Sequence, residues 1–375
     1  MPSGHSTGFF ATCMCCGVHA AERPSIVSPA ARGPILTRRN FTAGGFAAFG
    51  LGAAAAGMPA KLLAQAKPGR IDIHHHVTPP AWLEATSKAG LGNPLMANWT
   101  IQRSLDDMEK GAVATAIASA APPGIGFLKP PEAAVAARAS NEFIKKLTQD
   151  HPGRFGMFAL LPMPHVDETL KEIAYALDTL NADGVAFSTS YGDKYLGDSA
   201  FAPVMDELQR RRATAYTHPV NPACCSNNLA GIPPVYLEWG TDTTRTIASL
   251  IFSGTAARCP DIKFIFSHAG GTVTALTDRL TVQMVTDPRY KAFTSESVTA
   301  ELKRFYYDTA QAANPVAMAS LVKMATTSQI VFGTDFPFRT SADHVKGLAE
   351  VFGAEDLRKI DRDNALKLVP RWRAT

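Results

Sequence analysis

The stretch Ile71-Asp72-Ile73-His74-His75-His76 combines β-branched residues with three histidines, as in a buried strand that ends in polar side chains. Side chains two positions apart on a strand point to the same side, so His74 and His76 face one point while His75 faces away. Two imidazoles that converge at a strand end form half of a transition-metal site. The alternative is a histidine-rich strand end lying against solvent or core.

Short apolar segments and helix-length segments alternate from Arg70 to the end of the chain. The apolar segments are rich in Val, Ile, Phe and Tyr, which is typical of strands buried on both faces. The predicted strands are Arg70–His74, Ala112–Ser119, Arg154–Leu161, Gly184–Ser188, Thr214–His218, Lys263–His268, Arg304–Asp308 and Gln329–Thr334. The predicted helices are Pro131–Gln149, Val166–Leu180, Phe201–Arg212, Thr241–Arg258, Gly271–Val285 and Pro315–Thr326.

Eight strands that alternate with helices predict an α/β fold of the (β/α)₈ TIM-barrel type. The alternative is a doubly wound open sheet. It is disfavoured because no Gly-rich phosphate loop follows the first strand.

Composition indicates an ordinary globular protein: of 375 residues, 46% are hydrophobic and 19% are charged. The net charge of +4 comes from residues 1–66, which hold five of the 37 basic residues and one of the 33 acidic ones. The remaining 32 basic and 32 acidic residues cancel. Nucleic acid and anionic membrane surfaces are therefore not expected as partners.

Residues 1–66 have the features of an export signal. Thr37-Arg38-Arg39-Asn40-Phe41 precedes the small, apolar run Ala43–Ala60, and Ala64-Gln65-Ala66 suits a signal peptidase. This predicts a twin-arginine signal peptide that is removed, leaving a barrel domain over 67–375. A membrane anchor is disfavoured because the run is short and glycine-rich. The predicted location is periplasmic or secreted, with the twin-arginine machinery as export partner and no membrane attachment after cleavage.

Three cysteines remain after the leader, namely Cys224, Cys225 and Cys259. An odd number without framework spacing argues against a disulfide scaffold. The adjacent pair could bind metal or form a strained bridge, but an ordinary loop pair is expected.

Ionisable side chains follow several predicted strands at the end where a TIM barrel builds its active site. His74 and His76 end the first strand, His218 the fifth, His268 the sixth, and Asp335 follows the eighth. Three neutral imidazoles (His74, His76, His218) and one carboxylate (Asp335) suit Zn²⁺, and also Mn²⁺ or Fe²⁺. His268 is then free for proton transfer near neutral pH.

The segment Thr78–Thr100 is predicted to be a long loop after the first strand, with three prolines and two tryptophans. Trp82 and Trp99, together with Phe336 and Phe338, are candidates to line an aromatic substrate pocket. The equally weighted alternative is that the tryptophans pack over the barrel rim.

The motifs resemble the amidohydrolase superfamily, in particular its branch that includes aminocarboxymuconate-semialdehyde decarboxylase and the non-oxidative aromatic acid decarboxylases. Segments at 155–162, 183–185 and 195–201 further resemble the bacterial group that includes 6-methylsalicylate decarboxylase. The motifs that carry the main resemblance are Asp72-Ile73-His74-His75-His76, Thr217-His218-Pro219, Ser267-His268-Ala269-Gly270-Gly271 and Gly333-Thr334-Asp335-Phe336-Pro337.

The resemblance implies one divalent metal, usually zinc or manganese, held by His74, His76, His218 and Asp335. His268 matches the family's histidine beside the metal-bound water. A binuclear site with a carbamylated lysine is not expected, since Phe187-Ser188-Thr189 stands at the end of the fourth strand.

The resemblance also implies a homodimer and an arginine that grips the substrate carboxylate. Arg245 is one candidate for that arginine. The alternative is a helix residue paired with Asp242.

The leading hypothesis is a metal-dependent, non-oxidative decarboxylase of a small aromatic or unsaturated carboxylic acid, of the 2-hydroxybenzoate type. Asp335 or His268 would protonate the carbon that loses CO₂. The second hypothesis is a hydrolase of a lactone, ester or amide on the same scaffold, and the third is a non-catalytic binder of metal or a small molecule. No Gly-x-Ser-x-Gly motif supports a serine hydrolase.

Overall fold

Eight parallel strands form the wall of a barrel and follow each other in sequence order, so the predicted TIM barrel is confirmed. The structure, a computed structural model, describes residues 69–225, 229 and 231–374. The predicted export signal lies outside the described residues. The strands are β1 (Arg70–Val77), β2 (Val113–Ala120), β3 (Phe155–Leu160), β4 (Gly184–Ser188), β5 (Thr214–His218), β6 (Lys263–Phe266), β7 (Tyr306–Asp308) and β8 (Ile330–Val331).

Backbone hydrogen bonds between β1 and the segment after β8 bring the two ends of the sheet together. The Ile73 and His76 amides donate to the carbonyls of Phe332 and Phe336, each over 2.9 Å, and the Asp335 amide donates to the His74 carbonyl. The two ligand-bearing segments predicted from the sequence are therefore direct neighbours.

Strands β6 and β8 end earlier than the sequence predicts. His268 and Ala269 have positive φ angles of 55° and 56°, and Asp335 has a φ of 60°. A residue with positive φ cannot continue a strand, because strand backbone has negative φ. The predicted site residues thus lie on sharp turns just beyond the strands.

The segment predicted as a long loop contains two helices. Prolines 80 and 94 stand at the first helical positions, where the missing amide costs nothing and the fixed φ favours a helix. The α-helices are α1 (Pro80–Lys88), α2 (Pro94–Ala97), α3 (Ile101–Lys110), α4 (Pro130–Asp150), α5 (Val166–Ala174), α6 (Ala202–Arg211), α7 (Glu238–Phe252), α8 (Thr255–Arg258), α9 (Ser295–Arg304), α10 (Pro315–Met324), α11 (Ser341–Ala349), α12 (Ala354–Arg358) and α13 (Ala365–Leu368).

The helix predicted over Gly271–Val285 is confirmed only in its second half: residues 271–276 form turns, and the helical backbone that follows is irregular, with a π-helical stretch, Arg279–Gln283, and a 3-10 turn, Met284–Thr286. The hydroxyl groups of Thr277 and Thr281 donate to carbonyls four residues earlier. Such bonds compete with the regular helical ladder.

Apolar side chains fill the lower part of the barrel interior. Ile71 and Ile73 of β1 pack there with Phe158, Tyr216 and Trp372. A second, larger apolar cluster fills the space between strands and helices. The polar side chains at the carboxyl ends of the strands thus lie above a layer of packed, buried apolar side chains.

Two further features concern predictions from the sequence. Cys224 and Cys225 form a disulfide, so the expected unbridged pair is wrong; the sequence contains no signal that separates the two states. Among the described residues, none of the helices has the length and hydrophobicity that a bilayer-spanning helix requires.

Candidate metal centre and active site

The four predicted ligands converge on one point at the carboxyl end of the barrel. Ligand atoms of His74, His76, His218 and Asp335 all lie within 4.8 Å of one another, and all four residues are buried. Asp335 Oδ1 lies 3.1 Å from His74 Nε2, 3.2 Å from His76 Nε2 and 3.9 Å from His218 Nε2. The spacing of one carboxylate oxygen among three imidazole nitrogens is that of ligands around a shared ion.

Several polar atoms in or directly beside this cluster are buried without a hydrogen-bond partner, namely His218 Nε2, His268 Nε2 and Asp335 Oδ1. Buried polar atoms are nearly always paired, so a group of orphans facing each other indicates a missing ligand. Three imidazoles and a carboxylate form a donor set that suits a divalent transition metal. The residues present therefore fit the implied metal.

Hydrogen bonds on the far side of each imidazole aim its Nε2 atom into the cluster. His74 Nδ1 donates to Asp308 Oδ2 over 2.7 Å, and His218 Nδ1 donates to the Pro219 carbonyl over 2.8 Å. His76 Nδ1 lies 3.2 Å from the Ser119 hydroxyl. Such outer partners fix the tautomer and orientation of metal-binding histidines.

Asp72 holds the backbone of both ligand-bearing segments. Its Oδ1 accepts the amides of His74 and Thr334 over 3.0 and 3.1 Å, and its Oδ2 accepts the Thr334 hydroxyl over 2.6 Å. This buried carboxylate therefore fixes the backbone next to the left-handed Asp335.

Burial and charge give the ligands different protonation. Burial lowers the pKa of His76 to about 3 and that of His218 to about 4. Burial would also lower the pKa of His74, but Asp308 and Asp335 raise it to about 10. Burial would raise the pKa of Asp335, yet His74 and the neighbouring imidazoles hold it well below its usual range. Before metal binds, His76 and His218 are thus neutral at neutral pH, whereas His74 carries a proton that a metal ion has to displace.

His75 does not belong to the cluster, as the strand alternation predicts. Its Nδ1 lies 3.1 Å from Asp72 Oδ2, its Nε2 lies 2.9 Å from the Ser104 hydroxyl, and its ring stacks on Phe336 at 4.7 Å. His75 is a fully buried structural residue between β1 and α3.

His268 lies beside the cluster and not within it. Its Nε2 is 3.4 Å from Asp335 Oδ2, and its side chain is 12% exposed. The His268 amide donates to Asp308 Oδ1 over 2.8 Å. Its position at the mouth suits the predicted proton transfer, which itself stays a prediction.

The three predicted substrate-binding residues make their described contacts elsewhere. Arg245 Nη1 lies 3.9 Å from carboxylate oxygens of both Glu238 and Asp242, the pairing named above as its alternative. The Trp99 indole N–H donates to the Ser104 hydroxyl, and the centroids of the Trp99 and Phe143 rings lie 6.4 Å apart, in keeping with packing over the rim. Phe336 stacks on His75, on the side away from the ligands. Their roles toward a substrate stay predictions.

Two residues next to the cluster are not among the predicted site residues. Asp308, at the end of β7, orients His74, and its place in a strand-end Tyr-Tyr-Asp-Thr motif was a usable signal. Gln311 Nε2 donates to Asp335 Oδ2 over 2.8 Å. No sequence pattern pointed to Gln311, because its position depends on a left-handed turn.

A pocket opens next to His218 at the carboxyl ends of β2, β3 and β4. Apolar groups form most of its wall, and its polar lining includes Ser188 and the hydroxyl-bearing Tyr191 and Tyr216. The other lining residues include Ala121, Ile125, Leu160, Leu161, Ala186 and Phe187. A planar apolar ring is the kind of group that such a wall accommodates.

The barrel and its strand-end ligands define a metal-dependent enzyme scaffold of the α/β-barrel class. Within that class the chain belongs to the amidohydrolase family, whose model, described as amidohydrolase, matches residues 71–371.

Similar proteins carry decarboxylase names. The decarboxylase yanB of Aspergillus niger is 37% identical, over 81% of this chain and 88% of its own length. A 6-methylsalicylic acid decarboxylase of Penicillium expansum is 34% identical, over 80% of this chain and 96% of its own. A dihydroxybenzoic acid decarboxylase structure from Polaromonas sp. JS666, with bound manganese and 2-nitroresorcinol, has a TM-score of 0.74 at 21% identity, over 81% and 98% of the two chains.

Proposed function

We propose that this protein is a metal-dependent, non-oxidative decarboxylase of a small aromatic carboxylic acid. The observation that carries the proposal is the buried three-imidazole, one-carboxylate cluster, with His268 Nε2 unpartnered beside it and an apolar pocket next to His218. Relatives that are 34–37% identical over four-fifths of the chain bear decarboxylase names, which supports this chemistry over other uses of the same ligands.

The chain's own residues would divide the reaction between them. A divalent metal, held by His74, His76, His218 and Asp335, would polarise the substrate carboxylate and a neighbouring oxygen. The apolar pocket would orient the ring and exclude water. His268 would supply the proton at Nε2. As the bond to the carboxylate carbon breaks, CO₂ leaves and the electron pair stays on the ring carbon, which takes that proton.

For the substrate we propose a 2-hydroxybenzoate with a small apolar substituent, of the 6-methylsalicylate type. The pocket wall is largely apolar, which suits a small apolar substituent on the ring. The relative from Penicillium expansum carries the name of the methyl-bearing acid.

A decarboxylation assay tests this proposal. Purified protein loaded with zinc or manganese is given 6-methylsalicylate, salicylate and 2,6-dihydroxybenzoate, and CO₂ release is followed. Turnover of 6-methylsalicylate with the highest kcat/KM is expected. Hydrolysis of a lactone or ester, with ¹⁸O from labelled water entering the product acid and no CO₂ from any acid, would instead establish the hydrolase alternative.

We propose zinc as the resident metal, with manganese as the alternative. Three imidazoles and one carboxylate are a common zinc ligand set. Manganese is bound in the Polaromonas structure. Metal analysis of protein purified without added metal, followed by activity after exchange into each ion, separates the two.

We propose that residues 1–66 direct export by the twin-arginine pathway and that the mature protein is a periplasmic or secreted homodimer. The support for export is the Arg38-Arg39 pair ahead of a small apolar run. Replacing Arg38 and Arg39 by lysine should keep the full-length protein in the cytoplasm, measured by cell fractionation. Light scattering of the mature protein tests the dimer.

A further inference from the structure

The two oxygens of the Asp335 carboxylate have different surroundings. Oδ1 faces the ligand cluster, 3.1 Å from His74 Nε2 and 3.2 Å from His76 Nε2. Oδ2 faces the mouth, where the Gln311 amide donates to it over 2.8 Å and His268 Nε2 lies 3.4 Å away. The two oxygens of a carboxylate are equivalent, so what a neighbour can fix is the orientation of the carboxylate plane, which sets how directly one oxygen faces the ligands.

Gln311 is placed for this by an unusual backbone. Its φ is +56°, a left-handed conformation that residues other than glycine, Asn and Asp rarely adopt. The backbone N–H of Gln311 donates to His344 Nε2 over 3.2 Å, and His344 Nδ1 donates to the Thr340 carbonyl over 2.8 Å.

His344 is only 1% exposed, and burial lowers the pKa of its imidazole. The imidazole is therefore neutral: its Nδ1 carries the proton and donates to the Thr340 carbonyl, and its unprotonated Nε2 accepts the hydrogen bond from the backbone N–H of Gln311. A buried side chain of α11 thus supports the left-handed turn that aims Gln311 at Asp335.

We propose that Gln311 is a positioning residue for Asp335, and that its side-chain amide, by holding Oδ2, fixes the orientation of the carboxylate so that the other oxygen faces the metal ligands. The rival role is contact with the substrate, since the Gln311 residue is exposed at the mouth. The proposal rests on the metal site of the proposed function, but metal binding alone can test it without any substrate.

Metal affinity and a spectroscopic signature give the first test. The protein is stripped with a chelator and titrated with Co²⁺, whose visible absorption reports ligand geometry. Gln311→Leu should weaken Co²⁺ affinity by about 10- to 100-fold, the usual effect of losing an outer partner of a ligand, and shift the band. Val316→Thr, at an 82% exposed position nearby, is the matched control and should change neither.

The variant Gln311→Asn separates the effect of the side-chain amide from that of the left-handed backbone. Asn tolerates a left-handed φ better than most residues, but its amide is one methylene shorter and no longer reaches Asp335. The proposal expects Gln311→Asn to lose affinity like Gln311→Leu. The proposal would be overturned if the Asn variant, or both variants, bound Co²⁺ with the same affinity and the same spectrum as the wild type.

Kinetics on the substrate supply the second test. Positioning predicts a fall in kcat of about 10-fold or more, with KM within about twofold of the wild type. A raised KM with unchanged kcat would show substrate contact and overturn the proposal. If the wild type decarboxylates none of the acids, the proposed function fails, whereas the Co²⁺ measurements still decide the role of Gln311.

Discussion

Two buried carboxylates stand at opposite ends of the same barrel, and their surroundings differ. At the carboxyl end, Asp335 Oδ1 lies among three imidazoles without a hydrogen bond. At the amino end, just before β4, Asp183 accepts hydrogen bonds from the Met157 amide, the Trp372 indole and the Arg371 guanidinium.

The difference separates a site built for binding from one built for stability. The fold itself supplies the partners of the Asp183 carboxylate, whereas Asp335 Oδ1 has no hydrogen bond and is completed only by a bound ligand. In TIM barrels chemistry belongs to the carboxyl end and stability to the amino end. A substitution of Asp335 should therefore mainly lower the activity, and a substitution of Asp183 should mainly lower the stability.

The largest effect is expected at Asp335. Asp335→Asn removes the only anionic ligand of the described cluster, so kcat for decarboxylation should fall by about 10³-fold or more. The free energy of unfolding of the metal-free protein should fall by less than in Asp183→Ala, because asparagine keeps the shape of the side chain and the oxygen that accepts from Gln311. Steady-state assays and denaturant unfolding of the stripped protein check both. A strongly destabilised variant would remove the contrast between the two ends.

The opposite pattern is expected for Asp183→Ala. Two buried donors, the Met157 amide and the Trp372 indole, lose their acceptor, at about 1–3 kcal/mol each. The free energy of unfolding should fall by roughly 2–6 kcal/mol, with kcat/KM unchanged at a temperature where the variant is folded. Urea unfolding and the decarboxylation assay measure the pair. Asp193→Ala, an exposed aspartate at a turn, is the control and should change neither.

A smaller effect on the metal site is expected from Asp308, which contacts His74 and is not one of the four candidate ligands. Asp308→Asn removes the charge that holds His74 Nδ1 over 2.7 Å. Metal affinity should fall by about 10- to 100-fold, as for other outer partners of ligating histidines. Competition with a chromophoric chelator measures it. Affinity equal to that of the wild type would mean that His74 needs no orienting carboxylate.

The candidate metal ligands could be predicted from the sequence, whereas the residues and helices that surround them largely could not. His74, His76, His218 and Asp335 follow apolar strands, and the rule that strand ends share one rim brought them together. Gln311 and the helices within 78–100 escaped prediction for a physical reason. A left-handed φ at a glutamine depends on contacts with a distant helix, and a proline reads equally as a loop residue or a helix start.

The smallest expected effect is a pH dependence of the stability that Asp183 contributes at the amino end of the barrel. Burial raises the pKa of Asp183 to about 6, although Arg371 acts to lower it. Between pH 4 and 6 the folded protein therefore binds a proton at Asp183 that the unfolded chain has released, since an unfolded aspartate titrates near 3.9. Stability from this group is greatest below pH 4 and falls as pH rises to 6, by about 1 kcal/mol per pH unit. The stability difference between the wild type and Asp183→Ala should shrink over that range in urea unfolding at pH 4, 5 and 6. A difference that stays constant or grows would mean that Arg371 and the donors outweigh burial.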